Sequence, residues 1–176
     1  MITLIHAHPH PDRSIGGRAL LDAVRGIPRV SVRDLYELYP DLSIDAEAER
    51  AALEATRLVI WQHPLYWYGV PALLKLWFDD VLTEGWAFNG RQALAGKDCL
   101  WVTTTGGGGD AFAPTGRHGH PFEAFVAPIA QIAHFCGMNF LDPIVVYGSH
   151  RMGKEALQRQ ADSYRTFLTD YSTSHG

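Results

Sequence analysis

Short apolar segments of strand length alternate along the chain with longer segments of helical character. The strand-like segments are ITLIHA, RVSVRDL, RLVIWQH, CLWVTTT and FLDPIVVY. The helical segments span residues 15–25, 45–56, 71–82, 121–135 and 152–171. A helix between two strands returns the chain to the same end of a sheet, so this order predicts a parallel sheet with helices on both faces. We therefore expect a doubly wound α/β fold with five strands.

The size of the chain predicts one domain. It has 176 residues, of which 47% are hydrophobic, and this suffices for one well-filled core. The alternation of elements continues through the chain without a repeat, a low-complexity tract or a block of charge. We therefore expect a single domain over residues 1–176.

The charge and composition of the chain limit the classes of partner and the cell compartment that we expect. The formal net charge is −4, and there is no basic stripe that would attract nucleic acid. The N-terminus lacks the features of a signal peptide, and no segment reaches the roughly 18 apolar residues that cross a bilayer. Cys99 and Cys136 are far apart and are expected to be small buried residues. We expect a cytoplasmic protein that does not bind nucleic acid.

Three loops with unusual sequences should lie at one edge of the predicted sheet. They are HPHPDRSIGG after the first strand, HPLYWYG after the third and TTTGGGGDAF after the fourth. Ligands of doubly wound folds bind beyond the carboxyl ends of the strands, where the winding direction reverses. The glycine run could also be read as a flexible linker, but its place after a strand predicts that it contacts a ligand.

The first loop predicts a phosphate site. Asp34 ends the second strand, where an acid could meet a ribose, but neither GxGxxG nor GxxxxGK[ST] occurs in the chain. The loop instead offers the Ser14 hydroxyl and the free N–H groups at the start of a helix. Gly16 and Gly17 would allow a phosphate to approach that helix end closely.

The histidines of the first loop leave an alternative open. His6, His8 and His10 alternate, as three metal ligands on one face of a strand would. Pro9 and Pro11 interrupt that strand, so we favour one loop histidine that contacts a phosphate and predict no metal. A metal-dependent hydrolase and a plain surface loop remain the alternatives.

The third loop places three aromatic residues in a row, and they suit a flat ligand. Tyr66, Trp67 and Tyr68 lie between Pro64 and Gly69, which is a poor setting for burying three large rings. A flat heterocycle would use that surface, and glycine N–H groups from the fourth loop could face its edge. Together the three loops indicate a flavin mononucleotide (FMN) site.

The same segments carry a family resemblance. QHPLYWYGVPALLKLWFDDVL, TTTGGGG and IHAHPHPDRS resemble the flavodoxin-like NAD(P)H:quinone oxidoreductases. With RDLYELYPDLSIDAEAE and EGWAF, the whole chain is most similar to the ancillary quinone-reductase subunits of bacterial glutathione-gated potassium efflux systems. The resemblance implies FMN, NAD(P)H as hydride donor, two-electron reduction of quinones by ping-pong kinetics, and a homodimer. It also implies a potassium efflux membrane transporter as a partner, with a location on the inner face of the membrane.

The resemblance also assigns residues to the cofactor. Those at the phosphate loop are His8, Ser14, Ile15, Gly16 and Gly17. Those around the flavin ring are Leu65, Tyr66, Trp67, Tyr68, Thr104, Thr105, Gly106, Gly107 and Gly108. Gly17 stands where the family often has asparagine, which removes a possible phosphate contact. Tyr66 stands where the family often has glutamine, which changes the side chain over the ring. The affinity for FMN and the redox potential of the flavin are therefore expected to differ from those of the family.

The substrate side is assigned in the same way. Phe112 and His118 would lie beside the reacting face, and Phe112 replaces a tyrosine of the animal enzymes. We expect the backbone N–H groups of Gly106 and Gly107 to stabilise charge at the ring edge, and His118 to relay a proton.

A two-fold homodimer is expected to complete the substrate pocket. The predicted helix of residues 71–82 carries large apolar side chains over a wide arc, more than one core face needs. Trp86 and Phe88 follow that helix and are expected to cover the flavin of the other subunit. The competing functional hypothesis is a regulatory subunit of the transporter, in which reductase activity is secondary.

Overall fold

The computed structural model describes residues 1–175, so Gly176, the last residue of the predicted domain, lies outside the described part. Within these residues the strands are Ile2–His6 (β1), Val30–Asp34 (β2), Leu58–Pro64 (β3), Asp98–Thr104 (β4), Asn139–Phe140 (β5) and Ile144–Val146 (β6). The helices are Gly16–Val24 (α1), Leu35–Leu38 (α2), Ala46–Glu54 (α3), Ala72–Val81 (α4), Glu123–Phe135 (α5) and Lys154–Ser174 (α6). The five predicted helices are present, and α2 is an addition.

The strands form one parallel sheet in the order β2-β1-β3-β4-β5, with β6 also paired to β4. The predicted fifth strand is split into two. β5 pairs with the start of β4 and β6 pairs with its end. Pro143 lies between the two halves and has no N–H to donate to the ladder, which accounts for the interruption. The predicted parallel α/β class is confirmed.

Helices cover both faces of the sheet. One hydrophobic cluster joins β3 and β4 to α3, α4 and α5, with Trp61, Trp77 and Trp101 fully buried in it. The second cluster joins the opposite face of the same strands to α1 and α6. Alternate residues of the central strands point to opposite clusters, which is why these strands are apolar along their whole length.

Local signals set the ends of two helices. Pro71 is the N-cap residue of α4, as its position in the sequence predicts. Asp34 caps the short α2, since its side chain accepts a hydrogen bond from the backbone N–H of Tyr36 at 3.2 Å. A four-residue helix is too short to show a periodic pattern, so the sequence did not reveal it.

The two cysteines are buried and unpaired, as predicted. Burial raises the pKa of both thiols, for Cys136 to about 11. None of the helices within residues 1–175 is long and apolar enough to cross a membrane.

Candidate active site

The three loops meet at the carboxyl ends of β1, β3 and β4. The strand order reverses between β1 and β3, because the chain moves outward to β2 before it returns to β3. Such a reversal opens a crevice between neighbouring loops. Two adjoining clefts of about 200 Å³ each lie there, and both are lined by Leu65, Thr105 and Gly106.

The first cleft is lined by all five residues predicted to contact the cofactor phosphate and by five of those predicted to contact its ring. Its predicted residues are His8, Ser14, Ile15, Gly16, Gly17, Leu65, Tyr66, Thr104, Thr105 and Gly106. Arg13, Pro64, Ser149 and His150 complete the wall. Arg13 contributes a positive charge, and no carboxylate within residues 1–175 lines this cleft. The cleft is therefore suited to an anion.

The start of α1 has unused hydrogen-bond donors. Its N-cap residue, Ile15, makes no side-chain cap, and the first turn carries no acidic residue. Ser14 is only 9% exposed, and its buried hydroxyl finds no hydrogen-bond partner among the described residues. Because buried polar groups are normally paired, a phosphate held by this hydroxyl and the helix N–H groups would satisfy them.

The first cleft is also shaped by glycines. A Cβ atom at Gly17 would lie 2.7 Å from the Ser14 Oγ, and one at Gly16 would lie 2.5 Å from the Ser149 Cβ. Both distances are shorter than real Cβ contacts allow, so a larger residue at either position would force the neighbouring serine side chain to move. Gly17 therefore keeps the Ser14 hydroxyl accessible where a larger residue would displace it.

His8 presents a neutral donor to the first cleft. Its Nδ1 accepts a hydrogen bond from the backbone N–H of His10 at 3.1 Å, so the proton of the neutral ring is on Nε2. Burial, followed by the nearby His10, lowers the pKa of His8 below its usual range. The side chain can therefore donate one hydrogen bond to an anion without being charged.

The other two histidines of this segment do not join His8. His6 is buried in β1, with its Nε2 3.9 Å from the Asp34 Oδ2, and burial lowers its pKa to about 4. His10 is exposed. No group of three or more histidine, cysteine or carboxylate side chains in residues 1–175 is arranged to hold a metal ion. The metal alternative thus has no ligand set at these histidines.

The second cleft is bordered by a tight aromatic turn. The backbone N–H of Tyr66 donates to the Gly69 carbonyl at 3.2 Å, and the N–H of Gly69 donates back to Tyr66 at 3.0 Å. Between them Trp67 and Tyr68 have φ of 49° and 64°, a left-handed conformation that costs a non-glycine residue about 1–2 kcal/mol. Trp67 is 94% exposed. Strain of this kind is typical of functional sites.

A buried histidine anchors this turn from below. The Trp101 Nε1–H donates to the His63 Nε2 at 2.7 Å, so the His63 Nδ1–H donates to the Pro64 carbonyl at 2.9 Å. Complete burial lowers the pKa of His63 to about 4, and the ring stays neutral. The end of β3 is thereby fixed immediately before the aromatic residues. The strand ends one residue later than the predicted segment RLVIWQH, because Pro64 of the predicted loop also belongs to it.

The glycine loop keeps its carbonyl groups turned toward the protein. The Gly107 carbonyl accepts from the Thr105 Oγ1 at 2.7 Å and from the Gly148 N–H at 2.8 Å. The Gly106 carbonyl accepts from Arg151 at 3.2 Å. In contrast, the N–H groups of Gly106 and Gly107 have no acceptor within residues 1–175. Both glycines line the second cleft, so these donors are available to a ligand.

His118 lies on the wall of the second cleft, held by two aromatic residues. Its ring stacks on Phe112 with centroids 4.4 Å apart, and the Tyr68 hydroxyl lies 3.3 Å from its Nδ1. A Cβ atom at Gly107 would lie 2.9 Å from the His118 Nε2, so a larger residue there would displace the ring from its present position. The structure therefore brings together Phe112, His118 and Gly107, as predicted for the reacting side of the site.

Three of the predicted site residues lie outside the two clefts. Gly108 lines neither of the two clefts and instead faces a third one beside Tyr147. Trp86 lies beneath the Arg50 guanidinium, 5.5 Å from its ring centroid, and Phe88 packs 4.7 Å from Phe135. The placement of Trp86 and Phe88 over the site of a partner subunit stays a prediction.

The sequence matches the profile of a protein family described as having a flavodoxin-like fold, over residues 1–168. The chain belongs to this family.

Curated relatives match the chain over nearly its full length. The glutathione-regulated potassium-efflux system ancillary protein KefF of Enterobacter sp. (strain 638) is 44% identical over 176 residues, which cover 99% of each chain.

Solved structures agree with this placement. The general stress protein 14 of Treponema denticola, solved in complex with FMN, is 31% identical with a TM-score of 0.89, covering 95% of this chain and 97% of that one. An NADPH-quinone reductase from P.pentosaceus is 28% identical with a TM-score of 0.87, covering 95% and 96%. A protein described as a thermophilic tryptophan halogenase from Streptomycin violaceusniger is 35% identical with a TM-score of 0.89, covering 96% and 98%.

For this flavodoxin-like chain, sequence reasoning missed part of the first cleft. Ser149 and His150 line it from the loop that follows β6. That loop also begins at a carboxyl end of the parallel sheet, so the segment GSH after the last strand could have indicated it. The weak apolar pattern of the interrupted fifth strand hid this signal.

Proposed function

We propose that the chain is an FMN-dependent NAD(P)H:quinone oxidoreductase. One observation carries the proposal: an anion-binding helix start and a strained aromatic turn with free glycine N–H groups form adjoining clefts at one sheet edge. A phosphorylated molecule with a flat ring would fit both. The FMN complex and the quinone reductase among the structural neighbours support this cofactor and this reaction.

The first cleft would hold the phosphate. Ser14 and the backbone N–H groups at the start of α1 would donate to its oxygens, with the His8 Nε2–H as a further donor. No pyrophosphate motif occurs in the chain, which favours FMN over FAD. Leu65, Tyr66 and Trp67 would lie against the ring.

The second cleft would carry the chemistry. Bound FMN would supply hydride transfer between the nicotinamide and the quinone. The N–H groups of Gly106 and Gly107 would stabilise the negative charge at the ring edge, because they are fixed donors and need no reorganisation. His118 would donate a proton to the quinone oxygen. The open cleft lets the nicotinamide and the quinone occupy the same place in turn.

A regulatory role is the second candidate, and the name of the KefF relative favours it. In that case the chain is an ancillary subunit on the cytoplasmic face of a potassium efflux transporter, and reductase activity is secondary. Co-purification with such a transporter from detergent-solubilised membranes would support this role. Full reductase activity with no retained transporter would favour the free-standing enzyme.

We further propose that one FMN-binding domain over residues 1–176 assembles as a homodimer. An apolar cleft of about 320 Å³ lies between α4 and α5, and Phe135 on its wall is 58% exposed. Burial of this surface against a second copy would cover it. Light scattering that gives a monomer at micromolar concentration, with full activity, would contradict the dimer.

The cofactor experiment tests the central proposal. The purified chain should show a flavin absorption spectrum, and the cofactor released by heat should run as FMN on chromatography. The protein should oxidise NADH or NADPH when a quinone is added. A colourless protein that neither takes up FMN nor reduces quinones would overturn the proposal, and recovered FAD would overturn the assignment of the first cleft. The phosphate assignment can be tested by Ser14→Ala, which should weaken FMN binding. Ser43→Ala, in an exposed loop, is its matched control and should leave FMN binding unchanged.

A further inference from the structure

The second cleft holds a phenol and an imidazole in contact. The Tyr68 hydroxyl lies 3.3 Å from the His118 Nδ1, although the two residues are 50 positions apart in the chain. We propose that Tyr68 is a positioning residue that holds neutral His118 with its proton on Nε2 and supplies a proton to Nδ1 when Nε2 gives one up. The proposal rests on the proposed function and names a second member of its proton path.

The chemistry of the two groups decides the direction of the hydrogen bond. A neutral imidazole nitrogen is a stronger acceptor than a phenol oxygen, and the phenol is the more acidic donor. The Tyr68 O–H therefore donates to Nδ1, which leaves the proton of the neutral ring on Nε2. That nitrogen lies 2.9 Å from the position that a Cβ atom on Gly107 would take, on the wall of the cleft where the substrate would lie.

Both rings are clamped in place. Tyr68 stacks on Phe125 with centroids 5.2 Å apart and an interplanar angle of 23°. His118 stacks on Phe112 at 4.4 Å and 30°, and Phe112 in turn contacts Phe125. Stacking on both members reduces the freedom that each ring must lose to form the hydrogen bond.

The strained turn also has a function in this arrangement. Tyr68 occupies a left-handed position that glycine would adopt without strain, yet glycine would remove the phenol. Phe112 offers no hydroxyl to His118, and Tyr68 supplies one from a different loop. The strain is therefore consistent with a turn that is retained because it directs a phenol at the imidazole.

The proton step balances as follows. The quinone oxygen takes a proton from the His118 Nε2–H, and the hydride comes from the bound cofactor. Neutral imidazole cannot lose that proton alone, so the Tyr68 O–H proton moves to Nδ1 as the Nε2–H bond breaks. Tyr68 is 48% exposed, so its phenolate regains a proton from water. The net result is one proton transferred from water to the quinone oxygen.

The first test is spectroscopic and does not depend on turnover. In the ¹⁵N-labelled, purified full-length chain, the His118 signals are identified by their loss in His118→Gln. At a pH where the ring is neutral, long-range ¹H–¹⁵N spectra should show Nδ1 as an unprotonated acceptor and Nε2 as protonated. In Tyr68→Phe, which keeps the ring and its stacking, the two tautomers should mix. A wild-type Nδ1–H tautomer, or identical spectra in Tyr68→Phe, would overturn the inference.

The second test is kinetic. Tyr68→Phe should slow the quinone half-reaction by about 3- to 10-fold, a fraction of the effect of a general acid, and should leave the hydride transfer from the nicotinamide unchanged. The same substitution in a His118→Ala background should have no further effect. Tyr164→Phe, which removes a buried phenol hydroxyl from α6, is the matched control and should keep full activity. Equal effects of Tyr68→Phe with and without His118 would refute the pairing. If the chain shows no reductase activity, the proposed function is refuted. The spectra would then still show whether Tyr68 fixes the tautomer of His118.

Discussion

Glu49 is a carboxylate with no exposed surface, and its replacement should cost much of the stability of the fold. Its Oε1 accepts from the Arg33 Nε at 2.7 Å, from the Arg33 Nη2 at 2.5 Å and from the Tyr39 hydroxyl at 2.6 Å. Its Oε2 accepts from the Trp77 Nε1 at 2.9 Å. Four donor groups from three residues thus converge on one buried carboxylate.

Glu49→Gln keeps the size of the side chain but removes the charge and one acceptor. Whichever way the amide points, its NH₂ group faces a donor, Trp77 on one side or Arg33 and Tyr39 on the other. Breaking a buried ion pair from one side costs about 3–5 kcal/mol. The Arg33 side chain is 20% exposed, so water can partly solvate its charge. We expect a loss of about 3 kcal/mol, at the lower end of this range.

Urea unfolding, followed by tryptophan fluorescence, measures this loss. The titrations should be run with and without saturating FMN, because a ligand that binds only the folded state adds its own stabilisation. The matched control is Glu54→Gln, which breaks the Arg91–Glu54 pair of 2.8 Å between side chains that are 59% and 44% exposed. An exposed pair contributes about 0–1 kcal/mol. If Glu49→Gln lost no more than this control, the buried network would not stabilise the fold and the reasoning would be refuted.

Four further predictions concern the site and the rest of the fold. Ser14→Ala should weaken FMN binding by about 1–2 kcal/mol, the scale of one charge-assisted hydrogen bond, in a fluorescence titration of the apo-protein; an unchanged Kd would contradict the phosphate assignment. His118→Ala should slow turnover by about 10- to 100-fold with unchanged FMN content, and stopped-flow traces with both half-reactions intact would make the imidazole a bystander. His6 and His63 have pKa values of about 4 in the folded state, below the value of about 6.5 for an unfolded chain. Because the unfolded state takes up these protons first, the stability that these two rings contribute should be full well above pH 6.5 and fall toward pH 4, by about 2 kcal/mol per histidine at pH 5; a flat profile of urea midpoints would count against their burial as neutral rings. The Tyr164 hydroxyl is buried without a partner among the described residues, so Tyr164→Phe should raise the free energy of unfolding by about 1 kcal/mol, and a loss in the urea titration would indicate an unseen partner.

The sequence alone determined the architecture and the location of the site. The spacing of apolar residues is a local property, with a period of 2 in strands and about 3.6 in helices, so it can be read from a single chain. The order of strands and helices then predicts a parallel sheet, and the direction of that sheet places the loops after β1, β3 and β4 at one edge. The sequence alone therefore places Ser14, the aromatic turn and the glycine run at the same edge of the sheet.

Other features depend on contacts between distant parts of the chain. Glu49 stands early in α3, where an acid would be expected simply to favour the helix N-terminus. Its burial is decided by Trp77, 28 positions away, and by Arg33 on a neighbouring strand. The same holds for Tyr68 and His118, 50 positions apart.

The conformation of the aromatic turn also required the tertiary structure. Local preferences assign a left-handed turn to glycine or asparagine, and Trp67 and Tyr68 contradict them. The surrounding contacts hold the turn in place: His63 and Trp101 fix the end of β3 below it, and Phe125 stacks on Tyr68 from the side. Strain of this kind persists only where packing over-determines the backbone, and packing is not encoded in any one segment of a sequence.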